Sequence, residues 1–120
     1  MTIRATPLRR GEWQVLVLVR NERCPAPDYL VSLPLRDRKR AESLFSLVAE
    51  EGPPASVEKN RKIAEHLWEL KSYQARFPYF FDGPRRIVIT HGFTKKQPKL
   101  PRNELERAQR LRAEYLEERR

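Results

Sequence analysis

Two β-rich runs, ARFPYFFD (residues 75–82) and RRIVITHGF (residues 85–93), flank the dipeptide Asp82-Gly83, and no other feature of the chain narrows its fold so far. Asp-Gly between apolar runs favours a tight hairpin turn, although Pro84 directly after it leaves the turn type open. Pro78 inside the first run fits an edge or a bulge, because proline has no N–H to give to a ladder. A third β-branched and aromatic run, WQVLVLV at residues 13–19, reads as a buried strand. The basic stretch before it, residues 1–11, reads as a flexible leader.

Helical patterns occupy the rest. Residues 24–33 predict a brief helix entered after Pro27, with Tyr29, Leu30 and Leu33 as its stripe. Ala41, Leu44, Phe45 and Val48 fall at helical spacing and Gly52 supplies a stop, so a helix is expected from about Asp37 to Glu51. PPASVEKNRK reads as an exposed connection within one domain spanning 1–120. Residues 63–72 satisfy two patterns: Ile63, Leu67 and Leu70 suit a helix, which propensity slightly favours, whereas the alternation through LWELK suits a strand. From Asn103, a plausible N-cap with Glu106 three residues on, a C-terminal helix would pack by Leu105, Ala108, Leu111, Tyr115 and Leu116.

Charge bounds the function. Lysine and arginine number 25 against 16 acidic residues, a formal net charge of +9, and an excess of that size favours polyanionic partners. From Arg85 to Arg102 the chain places Arg85, Arg86, Lys95, Lys96, Lys99 and Arg102 with no carboxylate between them. Cys24 is the only cysteine, which excludes an intrachain disulfide and a cysteine-rich zinc site and fits a reducing cytoplasm. The longest apolar run, Val15 to Val19, falls far short of the roughly 20 residues that span a bilayer, so no membrane association is expected.

Catalytic signatures built on a glycine-rich phosphate loop, a His-Glu-x-x-His helix or a nucleophile elbow are absent from the sequence. What stands out is the hairpin and the loop behind it, where Arg76, Arg85, Arg86, His91, Lys95 and Lys96 interleave with Phe77, Tyr79, Phe80, Phe81 and Phe93. Cations for phosphates beside rings for unstacked bases suit RNA. A metal-free ribonuclease needs a base for the ribose 2′-OH, positive charge on the phosphorane, and an acid for the leaving oxygen. Arginine is confined to charge stabilisation, so proton transfer would fall to His91 or to a lysine depressed by cationic neighbours, with Lys95 and Lys96 acting on each other. Each residue also has an ordinary reading: a basic loop is a solvated surface, a strand-end histidine packs, and Trp13, Trp68, Phe80 and Phe81 build a sheet face.

The segments CPAPDYLVSL, EEGPP, KIAEHLWELK and RFPYFFDGPRRIVITHGFTKKQPKLPRNELERA resemble, in order and spacing, the phage-derived HigB-like branch of the RelE/HigB superfamily of type II toxins. The resemblance runs from Cys24 to about Leu111 and is most specific where His-Gly-Phe precedes the lysine pair. It implies an α+β fold, a small and largely antiparallel sheet with helices packed on one face and a C-terminal helix, and it makes LWELKS a strand. It further implies a cofactor-free, metal-independent messenger-RNA endoribonuclease, cytoplasmic, acting on the ribosome and restrained by a helix-turn-helix antitoxin protein. By the same resemblance Arg76, Lys95, Lys96 and His91 become catalytic candidates and Lys71 an RNA-binding one, while the carboxylate-free run makes Arg85, Arg86, Lys99 and Arg102 RNA-binding candidates by charge. Lys71 stands where the family usually has arginine, keeping charge but losing bidentate geometry. Two rivals share the fold: a non-enzymatic gyrase inhibitor of the ParE kind, and a member that binds RNA without cutting it.

Overall fold

The computed structural model describes residues 2–119. Among them the chain forms β1 (Ile3–Arg10), β2 (Gln14–Arg20), α1 (Pro25–Ser32), α2 (Leu35–Glu51), β3 (Asn60–Ala64), β4 (Leu67–Ser72), β5 (Ala75–Phe81), β6 (Arg86–Ile89), β7 (Phe93–Thr94) and α3 (Arg102–Glu118). It is an α+β fold around one mixed sheet of seven strands in the order β1-β2-β6-β5-β4-β3, with β7 pairing the start of β5. Every pairing between these strands is antiparallel except that of β2 with β6, which runs parallel from Gln14↔Arg86 to Val17↔Ile89. Among the described residues no helix is long and apolar enough to cross a membrane.

Both faces of the sheet are covered, which is why β2 is one unbroken apolar run and not an alternating one. Val15 and Val17 join Phe45, Val48, Leu70, Phe77, Tyr79, Ile87 and Ile89 under α1 and α2. Leu16 and Leu18 point the other way, joining Leu67, Phe80 and Val88 under Ala108, Leu111 and Tyr115 of α3. The helices therefore divide: α1 and α2 take one face, and the C-terminal helix takes the opposite one. The stripe expected on α3 is the one it buries, but the helix starts at Arg102 with Pro101 in the capping position, so Asn103 is not the cap. LWELKS is strand β4, because its alternation serves two cores while its helical stripe would serve only one.

Most of the expected leader is a strand and not a flexible lead-in; Met1 lies outside the described residues. Ile3 to Arg10 pair with Arg20 to Gln14 across β2, with a register shift between Pro7 and Arg9. Arginines, a proline and an irregular register disguise this strand, and those same features mark an edge strand protected from pairing with other chains. The Asp82-Gly83 turn is a four-residue loop, closed by Asp82 N–H to the Arg86 carbonyl at 3.0 Å, with Gly83 and Arg85 both at positive φ. Pro78 is also explained. Its carbonyl accepts from Thr90 N–H at 2.9 Å, and a strand residue points its N–H and C=O to the same side. The missing donor therefore faces the gap where the β5 partner changes from β6 to β7.

Removing residues 1–10 should strip β2 of its outer partner and leave an apolar strand at the sheet edge. The truncated chain is expected to unfold or aggregate, read by thermal melting and size-exclusion chromatography; a flexible leader would leave both unchanged.

Candidate nucleic-acid interface

α3 packs on its face of the sheet mainly over β1 and β5, and Ile63, Ala64 and Leu67 at the β3–β4 turn also reach its core. Alternation decides what points there. Leu67 and Phe80 lie in the core under α3, so Glu69 and Lys71, two and four residues beyond Leu67, share its side, as do Pro78 and Arg76 behind Phe80. The register then forms rows: Arg61 opposite Glu69, Glu69 opposite Pro78, and Lys71 opposite Arg76. Lys95 completes the group from the segment after β7, its backbone N–H bonded to the Gln74 carbonyl at 2.8 Å.

Glu69 is wholly buried at the centre of these cations. Arg76 Nε stands 3.0 Å from its Oε1, and Arg61 Nη2 stands 3.7 Å from its Oε2. Neither carboxylate oxygen receives a well-aligned hydrogen bond despite that proximity, so the trio is held by charge more than by hydrogen-bond geometry. Arg76 is fixed further, donating from Nη1 to the carbonyls of Tyr73 and Ala75. Burial holds the Arg76 guanidinium below its ordinary value, an effect that Glu69 opposes and Arg61 reinforces, but the group remains a cation. Lys71 Nζ donates to the Val57 carbonyl at 2.9 Å. A cleft of about 430 Å³ opens beside the group between α2 and the β4–β5 turn; it shares Lys71 and adds Arg40, whose guanidinium lies 4.0 Å above the exposed ring of Tyr73.

The Lys95 amine is held below the usual lysine value, first by partial desolvation and then by Arg61, Arg76 and Lys71, with Glu69 pulling the other way. Beyond desolvation, the cations that lower it lie across the sheet; the adjacent Lys96, which is exposed, is not among them. Gly92 makes this placement possible. A Cβ there would lie 2.4 Å from Tyr29 Cδ2 and 2.9 Å from Phe77 Cε1, so only glycine lets the segment pass tight against α1, where the Tyr29 and Thr94 hydroxyls bond at 2.6 Å.

The other sequence candidates separate from this group. His91 is fully buried, stacked on Phe93, and out of reach of a substrate. With its proton on Nε2 it donates to Glu104 Oε1 at 3.1 Å, while Nδ1 accepts from the Thr90 hydroxyl at 2.9 Å. It fastens the first turn of α3 to the strand end and is not a proton-transfer group. Arg85 and Arg86 sit at the far end of β5, a strand length of roughly 20 Å from Arg76. There Arg85 pairs with Glu12 at 2.8 Å, and Arg86 bonds Asp82 and Gln14. Arg102 pairs with Glu106 at 3.1 Å on the exposed surface of α3, and Lys99 is solvent-exposed in the loop before it. The carboxylates missing from the run along the chain are thus supplied to Arg85, Arg86 and Arg102 in space. Sequence reading missed Arg61 and Glu69. The available signal was the alternation in LWELKS: a carboxylate on the same side as buried Leu67 needs a cation on the next strand.

Burial, with the charges of Arg107 and Arg110, pushes the His91 imidazole down to about 3. The unfolded chain carries an ordinary imidazole that binds a proton below about pH 6.5. Stability from keeping this ring neutral is therefore complete above about pH 6.5 and lost as pH falls toward the folded value. Urea denaturation should show wild type losing roughly 3 kcal/mol more than His91→Asn between about pH 7 and pH 4; parallel pH profiles would refute the buried neutral histidine.

No curated protein matches the chain closely enough to lend it an activity. The family model for phage-derived Gp49-like proteins (DUF891) matches residues 28–113, a stretch that contains Arg61, Glu69, Lys71, Arg76 and Lys95. With most of its length inside that match, the chain belongs to the phage-derived Gp49-like (DUF891) family.

Proposed function

We propose that this chain is the toxin of a type II toxin–antitoxin pair and cuts messenger RNA without a metal, by attack of a ribose 2′-OH on the adjacent phosphodiester. The reading is supported by membership of a phage-derived, toxin-like family related to RelE and HigB. The observation that carries it is the gathering of Arg61, Lys71, Arg76 and Lys95 around Glu69 on neighbouring strands and the segment after β7. In this scheme Arg76 and Arg61 hold the non-bridging oxygens and stabilise the phosphorane. Lys95, the lysine of the group whose amine is made less basic, takes the 2′-OH proton. The 2′-oxygen bonds to phosphorus as the bond to the 5′-oxygen breaks, and a neighbouring ammonium, Lys71 or Lys96, protonates that oxygen. A 2′,3′-cyclic phosphate and a 5′-hydroxyl result. His91 has no part in this chemistry, and Arg85, Arg86, Lys99 and Arg102 contribute at most to long-range attraction. Action on the ribosome in the cytoplasm, and restraint by a helix-turn-helix antitoxin, belong to the same proposal.

Controlled expression with mapping of messenger-RNA ends tests it. Wild type should arrest growth and produce new ends. Arg76→Ala and Lys95→Ala should each lower cleavage by about 100-fold or more, and the Arg85→Gln/Arg86→Gln pair by no more than about threefold. Arrest by Lys95→Ala as strong as wild type would overturn the assignment, and DNA damage without new RNA ends would favour a gyrase poison.

A further inference from the structure

A chain with a net charge of +9 that places a carboxylate beneath its cationic face poses a physical question. For simple attraction of a polyanion Glu69 is counterproductive, and burying it is costly unless its partners are well placed. It has no exposed surface, so it cannot reach a ligand. What it reaches are two guanidiniums from the flanking strands, Arg61 of β3 and Arg76 of β5. Without an anion between them these cations would repel and swing into solvent. With it, Arg76 is tied at three points, to Glu69 and to the carbonyls of Tyr73 and Ala75. Arg61 Nε is left buried with no acceptor, and its guanidinium is held inward by the same carboxylate.

We propose that Glu69 is the positioning residue of this interface, holding Arg61 and Arg76 side by side as a clamp for one phosphodiester of single-stranded RNA. Arg61 thereby becomes a phosphate ligand in its own right. The inference rests on the RNA reading above for its ligand, but not on cleavage. Guanidiniums fixed before binding lose little freedom when a phosphate arrives, so their geometry matters beyond their charge.

The sign of one measurement separates positioning from bulk attraction. Glu69→Gln and Glu50→Gln each remove one negative charge, and Glu50 lies exposed on α2. Binding of a fully 2′-O-methylated single-stranded RNA, which cannot be cut, is read by fluorescence anisotropy at fixed salt, with circular dichroism to confirm folding. Attraction alone makes both variants bind as well as wild type or better. Positioning makes Glu69→Gln roughly fivefold weaker or more, although its net charge has become more positive, and leaves Glu50→Gln at wild-type affinity or tighter. Equal affinity of the two variants would overturn the inference.

Should Glu69→Gln fail to fold, Arg61→Lys decides. It keeps the charge and loses the fork, so a roughly fivefold loss is expected, and unchanged affinity overturns the proposal. A second readout follows Lys95 by carbon-detected NMR of its side chain. Among the cations Arg61, Lys71 and Arg76, Glu69 is the group that raises the Lys95 amine, so its titration should move to lower pH in Glu69→Gln; an unmoved titration counts against the inference. Wild type that binds the oligonucleotide but cuts no RNA defeats the nuclease reading and leaves the clamp standing. Wild type that cuts while Glu69→Gln binds like Glu50→Gln defeats the clamp alone.

Discussion

The parallel pairing of β2 with β6 is the constraint on which the rest of the molecule depends. It joins the N-terminal hairpin to the strand that follows β5, so that α1, α2 and then β3, β4 and β5 form one long excursion between β2 and β6. A parallel pair in the middle of a sheet is stable when both of its faces are dry. Here the α1–α2 layer dries one face and α3 the other. The run Val15 to Val19 can be apolar at every position only because of that arrangement.

On the α3 side the sheet changes character along its strands, and the proposed site lies where it does so. Where the helix lies over the sheet, the strand positions facing it are Leu16, Leu18, Phe80 and Val88. Further along, the corresponding positions on β3, β4 and β5 become Arg61, Glu69, Lys71 and Arg76. Identical backbone geometry thus yields a core at one end and a charged surface at the other. Glu69 marks the border, buried like a core residue yet surrounded by charge.

Much of this architecture was legible in the sequence, for reasons that differ by element. α2 and α3 declared themselves through stripes that they do bury, and the β5–β6 hairpin through its apolar runs. β1 did not, because an edge strand is built from residues that discourage strand formation in isolation, here arginines and a proline with an irregular register. The site was legible in part. Arg76, Lys71 and Lys95 came together as expected, but a carboxylate-free run in one dimension says nothing about ion pairs in three. Glu12, Asp82 and Glu106 take up Arg85, Arg86 and Arg102. His91 looked reactive because imidazoles often are, and only its depth shows otherwise.

α3 is fastened at both ends. Glu104 in its first turn receives His91, and at the other end Asp82 accepts hydrogen bonds from Tyr115 and Arg119. A helix pinned this way is a wall and not a door: it cannot swing aside to admit a ligand or close over one. Access to the charged surface is therefore not gated by α3.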